Sequence, residues 1–292
     1  MTAEPGWDSA LDRAARSRLT LLLGGVDTGK TSLATFLANG LLARGFRVGV
    51  VDADLGQSEI GPPTTIGLGR VTRALARLGD ADVAALSFVG ATSPRGFVRS
   101  TVTATRRMAE RAFARGWERV VVDTCGLVEG SLGRILKQRK IERLDPDLVI
   151  CLARGDECEP ILGRYAGQPG PEILRLPVGE HARGRSVVER RRHRQIAFDA
   201  YFHGASTRRI AVAGLVLRVM SDRSDATSLD ADELERTLVG LDDAGGDTLG
   251  LGAFRAVDAV DRTFLVDTPV RDGHVAGLRV GPHVFHAVET VR

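Results

Sequence analysis

Lysine is nearly missing from this chain: of 40 basic residues only Lys30, Lys137 and Lys140 are lysines, so almost all positive charge is carried by arginine. Aromatic residues are also few, at 5%. No apolar run approaches the roughly 20 residues that span a bilayer. The stretch before Arg18 carries Asp8 and Asp12 where a secretory leader would place its apolar core, so a cytoplasmic protein without a membrane partner is expected. Cysteine is scarce as well. Cys125, Cys151 and Cys158 are odd in number and lack the two-to-four-residue spacing of a zinc knuckle, which leaves reduced thiols and no structural metal as the expectation.

What is present points to an ordinary folded core. The 292 residues are 43% hydrophobic and 26% charged, enough for a full core and at most two domains. Net charge is only +3, but it is unevenly placed. Arg183 to Arg194 holds six arginines against one glutamate, and Arg134 to Arg143 holds three arginines and two lysines against one glutamate. Two basic clusters on an otherwise acidic chain point to an anionic ligand at defined places.

Short β-branched runs alternate with helical patterns over the first two-thirds, the signature of a parallel sheet with crossover helices. Strands are expected at Leu19–Leu23, Arg47–Val51, Val83–Val89, Arg119–Val122, Leu148–Leu152 and Ile173–Leu176. Lys30–Ala43 repeats leucine and phenylalanine at helical spacing, Thr101–Arg115 reads as a second helix, and Ser186–Phe202 is helix-compatible. After Gly204 the texture becomes strand-like at Ile210–Met220, Leu249–Phe254, Thr263–Val266, Val275–Val280 and His283–Val288. The expected fold is α/β: a P-loop NTPase with a mostly parallel sheet flanked by helices over 1–204, and a small β-rich C-terminal domain over 205–292. The latter has ten basic and fourteen acidic residues, so the basic surface belongs to the first part.

Gly24-Gly25-Val26-Asp27-Thr28-Gly29-Lys30-Thr31 fits G-x-x-x-x-G-K-[ST], after an expected strand and before an expected helix. Glycines let backbone N–H groups turn toward phosphate oxygens, and the helix start adds a favourable dipole. Gly25 through Ser32 are therefore the nucleotide-binding candidates, with Lys30 on the β- and γ-phosphates and Thr31 on magnesium. Val120-Val121-Val122-Asp123 is an apolar strand ending in a carboxylate, the form of a second magnesium-side element. The guanine-reading element of GTPases is absent at Ala153-Arg154-Gly155-Asp156, which favours ATP or a loosely selective purine site. Asp52 and Asp54 close the second strand, and alternation places them on one face; one such acid can take a proton from an attacking hydroxyl, while Asp52 is the one expected only to orient the P-loop or to bind magnesium through water. Arg190 and Arg194 stand four apart on one helical face, either as a solvated surface or as the charges that neutralise a transferring phosphoryl group. Trp7, just before the first strand, is a candidate to stack on adenine, with packing as the alternative.

Taken together, the P-loop, Asp52-Ala53-Asp54-Leu55-Gly56-Gln57 followed by Gly61-Pro62-Pro63-Thr64, and Asp123-Thr124-Cys125-Gly126-Leu127-Val128-Glu129-Gly130 resemble the polynucleotide 5′-hydroxyl kinases. That family includes the RNA kinase subunit of the pre-mRNA cleavage machinery, the ribosomal-RNA-processing kinase and archaeal relatives. The likeness continues through Thr92-Ser93-Pro94, Tyr201-Phe202-His203-Gly204, Leu249-Gly250-Leu251-Gly252 and Thr268-Pro269. It implies ATP and Mg2+ as cofactors, 5′-hydroxyl RNA or DNA as substrate, Asp54 as general base, and Arg185, Arg190 and Arg194 as a lid over the ATP phosphates. It also implies that Thr92 helps hold the acceptor's terminal nucleotide; Asp52, Gln57, Ser93 and Arg134 are further acceptor-side candidates, and the basic residues around Arg134 to Arg143 are expected to track the strand's first phosphates. Leu127 stands where eukaryotic members carry a tryptophan, which implies looser selection between RNA and DNA. No N-terminal β domain is expected before Leu19, and no obligate protein partner is evident. An ATP-binding scaffold, and a P-loop NTPase acting on a small molecule or a partner protein, are the rival expectations.

Overall fold

In the computed structural model, residues 4–179, 184, 186–220 and 234–284 are described. The first half is built on five parallel strands: β1 (Leu19–Gly24), β2 (Val48–Ala53), β5 (Arg119–Thr124), β6 (Leu148–Ala153) and β7 (Glu172–Pro177). Their order is β7-β6-β1-β5-β2, and β3 (Thr65–Val71) and β4 (Asp82–Phe88) extend the sheet beyond β2 in antiparallel fashion. Every residue of β1 and β2 is buried. Such strands read as unbroken apolar runs because helices cover both faces.

Helices α1 (Trp7–Arg16) and α2 (Lys30–Ala43) lie on one face, around Leu22, Leu33, Leu37, Val50 and Val121. Helices α3 (Val98–Ala114) and α4 (Gly130–Leu144) lie on the other, around Leu21, Leu23, Met108, Val122 and Ile141. Trp7, Ala10, Leu11 and Ala14 form the buried stripe of α1. Trp7 packs against Phe36 with ring centroids 5.2 Å apart and is 4% exposed. It is a core residue, which corrects the expectation that it could stack on a nucleobase.

β3 went unpredicted because its sequence carries Gly67 and Gly69. The backbone of Ile60 crosses so close that a Cβ at Gly67 would lie 1.9 Å from the Ile60 carbonyl oxygen. Packing, not strand propensity, selects glycine there.

The short helix α5 (Glu159–Leu162) precedes β7, and α6 (Val187–Phe202) follows it. Then come β8 (Ser206–Ala211), β9 (Val216–Val219), β10 (Thr237–Asp242), β11 (Thr248–Asp258), β12 (Thr263–Thr268) and β13 (Gly277–Val284). The single strand expected over Ile210–Met220 is two, separated by a turn in which Gly214 has φ +76°. Of the strand expected at His283–Val288, only the first two residues are described, at the end of β13. β11 meets β4 antiparallel at Thr248 and Leu86, so the thirteen strands of the described residues join one sheet. Arg279 fastens this junction, donating to Asp242 at 2.6 and 2.7 Å and to the Phe88 carbonyl at 2.8 Å. The C-terminal strands have their own core around Val239, Leu241, Phe254, Val266 and Leu278.

Candidate active site

The carboxyl ends of the parallel strands open on one edge, where ligands bind in open α/β sheets. A cavity of about 990 Å³ occupies that edge, lined by the P-loop, Asp54, Gln57, Thr92, Ser93, Leu127 and the α6 residues Arg190, His193 and Arg194. The P-loop runs from the end of β1 into α2, with Gly29 in the left-handed region (φ +87°) at the helix start. Thr28 Oγ1 donates to the Gly25 carbonyl at 3.1 Å. Lys30 Nζ donates to the same carbonyl and to Thr28 Oγ1. Burial pushes the Lys30 ammonium below its usual range, with the Asp123 carboxylate opposing.

Thr31 Oγ1 donates to Asp123 Oδ2 at 2.6 Å, joining the P-loop helix to the end of β5. The other carboxylate oxygen, Asp123 Oδ1, is buried without a hydrogen-bond partner. A hydroxyl and an orphaned carboxylate oxygen beside a phosphate cradle fit magnesium, which takes one or two protein oxygens and completes its shell with water and phosphate. Burial raises the Asp123 carboxyl above its ordinary range, opposed by the Thr31 hydrogen bond and Lys30.

Asp54 lies one residue past β2, where the chain turns into the loop. Its Oδ1 accepts from the Gly56 and Gln57 backbone N–H groups at 2.9 and 3.0 Å, which fixes the orientation of the carboxylate. Thr92 and Ser93 sit across from it: the Thr92 carbonyl passes so near Gly56 that a Cβ there would be 2.8 Å away. Above, α6 begins at a capping box in which Ser186 and Glu189 satisfy each other's backbone N–H. Arg190 of this helix pairs with Asp27 of the P-loop at 3.0 Å, and Gln57 Nε2 donates to the Arg190 carbonyl at 3.1 Å. Arg194 is half-buried, and burial followed by Arg191 lowers its proton affinity while Asp54 raises it. Helix α6 thus touches both the P-loop and the Asp54 loop.

Residues 24–204 match the family model for the P-loop of the mRNA cleavage and polyadenylation factor CLP1. The chain belongs to this CLP1 P-loop family. It is 37% identical over 217 residues to the polyribonucleotide 5′-hydroxyl-kinase of Pyrococcus furiosus, covering 72% of this chain and 59% of that one. It is 30% identical over 309 aligned positions to the same-named protein of Pyrococcus abyssi, covering 89% and 86%, and 38% identical over 197 residues to that of Methanocaldococcus jannaschii, covering 68% and 54%. The matched part spans little more than half of the first and third relatives and most of the second. Among solved structures, Clp1p in its complex with a Pcf11p segment shares the fold, with a TM-score of 0.71 at 14% identity, covering 94% of this chain and 77% of that one. As expected of a CLP1 P-loop protein, the site is suited to ATP.

Two expectations from the sequence change on inspection. Asp52 does not line the cleft. It is 1% exposed and accepts from the backbone N–H of Asp54 (3.0 Å), Glu59 (2.5 Å) and Ile60 (3.0 Å) and from Ser58 Oγ (3.3 Å). It is the anchor of the Asp54 loop rather than an acceptor-binding group, and burial and Asp123 raise its carboxyl to about 7. Nor is the basic run on α4 a uniformly charged face. Arg134, Arg139 and Arg143 are exposed, and Arg134 lies outside the cleft lining, but Lys137 and Lys140 are both 0% exposed. Lys137 Nζ donates to Thr124 Oγ1 at 2.6 Å and to the Cys125 carbonyl, and Lys140 Nζ to the Ala53 carbonyl at 3.3 Å. Arg185 lies outside the described residues.

Sequence reasoning missed His193 and Arg154. His193 follows Arg190 by three positions, so helical spacing alone assigns it to the lid's inner face. Arg154 donates to the P-loop carbonyls of Val26 and Asp27 at 3.3 and 2.8 Å; nothing in its local sequence announces that role.

Proposed function

We propose that the chain is an ATP- and Mg2+-dependent polynucleotide 5′-hydroxyl kinase, transferring the γ-phosphate of ATP to the 5′-hydroxyl end of RNA or DNA. One observation carries this reading: a carboxylate held by backbone N–H groups, Asp54, shares a single cleft with a complete P-loop and with arginines of a helix docked on both. A nucleotide scaffold has no use for that conjunction.

The steps follow from the side chains. The P-loop amides and Lys30 hold the β- and γ-phosphates, Lys30 leaving its loop acceptors for phosphate oxygens. Thr31 and Asp123 would hold magnesium, which would supply charge neutralisation on the phosphates. Asp54 Oδ2 accepts the proton of the 5′-hydroxyl as its oxygen bonds to the γ-phosphorus and the β–γ bridging bond breaks, releasing ADP. Arg190 and Arg194 supply the positive charge that compensates the equatorial oxygens in transit. The exposed arginines of α4 offer sequence-independent contacts to the strand.

In this reading, residues 1–204 form the kinase domain and 205–292 a β-rich domain that steadies the lid. Among the described residues no helix is long and apolar enough to cross a membrane, and we place the activity in the cytoplasm. The test is incubation with γ-labelled ATP and short 5′-hydroxyl RNA and DNA oligonucleotides. Label is expected on the oligonucleotide; ATP hydrolysis that proceeds indifferently to oligonucleotides, with none labelled, refutes the proposal.

A further inference from the structure

All three lysines of this arginine-rich chain converge on one cleft. Lys30 belongs to the P-loop, while Lys137 and Lys140, both wholly buried, stand three apart on α4 and so on one helical face. Their acceptors are neighbours as well. Lys140 Nζ donates to the Ala53 carbonyl at 3.3 Å, and Lys137 Nζ donates to Thr124 Oγ1 at 2.6 Å and to the Cys125 carbonyl. Ala53 and Thr124 are register partners on β2 and β5, and the pair one residue earlier is Asp52 and Asp123. The two lysines therefore hold the last rung of the β2–β5 ladder, just past Asp123 and just before Asp54. Thr124 carries the tie to β1, because its hydroxyl donates to the Leu22 carbonyl at 2.7 Å, which leaves an oxygen lone pair to accept from Lys137.

Burying an ammonium is costly unless opposite charge stands near it. Burial disfavours the Lys140 ammonium and so does Lys137, whereas Cys125, Asp54 and Asp52 favour it. Burial likewise disfavours the Asp123 carboxylate and so does Asp54, whereas the Thr31 hydroxyl, Lys30 and Lys137 favour it. Three carboxylates at the ends of two adjacent strands are thus met by buried ammonium groups from behind. A guanidinium would bring five N–H donors, more than these two carbonyls and one hydroxyl can answer, which accounts for lysine here in a chain that elsewhere uses arginine. Resting on the kinase reading above, we propose that Lys137 and Lys140 are positioning residues of the transfer step: Lys140 sets the place of Asp54 through Ala53, and Lys137 sets that of Asp123 through Thr124 and Cys125. Neither touches the substrate; each acts through the strand end it holds.

The experiment compares Lys137→Met and Lys140→Met with Ile141→Val, an apolar change on the same buried stripe of α4. Lys137→Gln and Lys140→Gln give the same readouts where a methionine variant does not fold. Urea unfolding reports stability, calorimetry reports ATP affinity with and without Mg2+, and labelling of a 5′-hydroxyl oligonucleotide reports kcat and KM. Misplacing a reacting group by about 1 Å costs about 10²-fold, and loss of a group that orients a metal ligand costs about 10- to 100-fold. Lys140→Met should lower kcat about 10- to 100-fold, with KM for ATP and the gain in ATP affinity on adding Mg2+ unaltered. Lys137→Met should lower kcat and also shrink that magnesium gain about 10-fold. Ile141→Val should lose stability and keep its kcat. Folded lysine variants with wild-type kcat overturn the proposal, and so does an equal fall in kcat for Ile141→Val. A wild-type protein that labels no oligonucleotide refutes the kinase reading instead; the calorimetric arm then stands alone, and an unchanged magnesium gain in Lys137→Met overturns the role given to Lys137.

Discussion

Lys140→Met tests whether a charge truly sits under the Asp54 loop. The ammonium is wholly buried and has a carbonyl acceptor at Ala53. Burial pushes it down from 10.5 to about 8, Cys125 raises it, Lys137 lowers it, and Asp54 and Asp52 raise it. That depression corresponds to about 3 kcal/mol of folding free energy opposing the charged form. The sign is set by proton binding. Below pH 8 the amine is charged in both folded and unfolded chains and the full cost is present. Between about 8 and 10.5 the folded protein releases its proton while the unfolded chain keeps it, so this group's contribution to stability rises by about 3 kcal/mol over that window. Methionine has similar length and no titration. At pH 7 the variant gains the relieved cost but leaves the Ala53 carbonyl unpaired, a loss of about 1 to 3 kcal/mol, so a single pH decides nothing. Urea unfolding at pH 7 and at pH 10.5 decides, through the change in the wild-type-to-variant difference. A difference that is the same at both pH values to within about 0.5 kcal/mol refutes a depressed, buried lysine charge.

Asp54→Asn removes the proton acceptor while keeping an oxygen for the Gly56 and Gln57 N–H groups. Its kcat should fall about 10²- to 10⁴-fold with ATP affinity, measured by calorimetry, nearly unaltered; full turnover in that variant would exclude Asp54 as the base. Asp123→Asn puts an amide where the orphaned oxygen or the Thr31 acceptor now lies, so the magnesium concentration for half-maximal activity should rise about 10- to 100-fold. Arg194→Ala should lower kcat by about 10³. Arg190→Ala also breaks the pair with Asp27 and should raise KM for ATP as well, so the KM-to-kcat split distinguishes the two arginines in steady-state kinetics.

The P-loop was legible in sequence because its backbone admits few residues: the left-handed start of α2 calls for Gly29, and the amine and hydroxyl that follow are dictated by phosphate and metal. The Asp52–Asp54 pair was legible only in part. Alternation places both on one face, but β2 ends at Ala53, and beyond it the chain bends so that Asp52 stays below the loop while Asp54 enters the cleft. That Asp52 orients a loop could be expected, but not that the loop is that of Asp54; the four donors converging on Asp52 come from residues 54 to 60 and exist only once that loop is folded. The lysines of α4 misled for a related reason. Their charge reads as surface, yet Lys137 and Lys140 sit on the buried stripe with Leu136, Ile141 and Leu144, and donate hydrogen bonds to carbonyls where two strands end.

The lid could be found as an arginine-rich helix, but its fixed position could not, because both attachments are made far away in sequence. At its start Arg190 grips Asp27. At its end Phe198 packs with Phe88, Leu238 and Leu251, and Tyr201 OH accepts the Leu251 N–H at 2.7 Å. Gly250 is required beside it, since a Cβ there would come within 2.5 Å of that hydroxyl. The far attachment is buried, whereas the near one combines a part-buried ion pair, whose members both face the cleft, with the Gln57 amide's hydrogen bond to the Arg190 carbonyl. In the proposed kinase reading, phosphate competes for Arg190 at this polar end while the β-rich C-terminal strands hold the other.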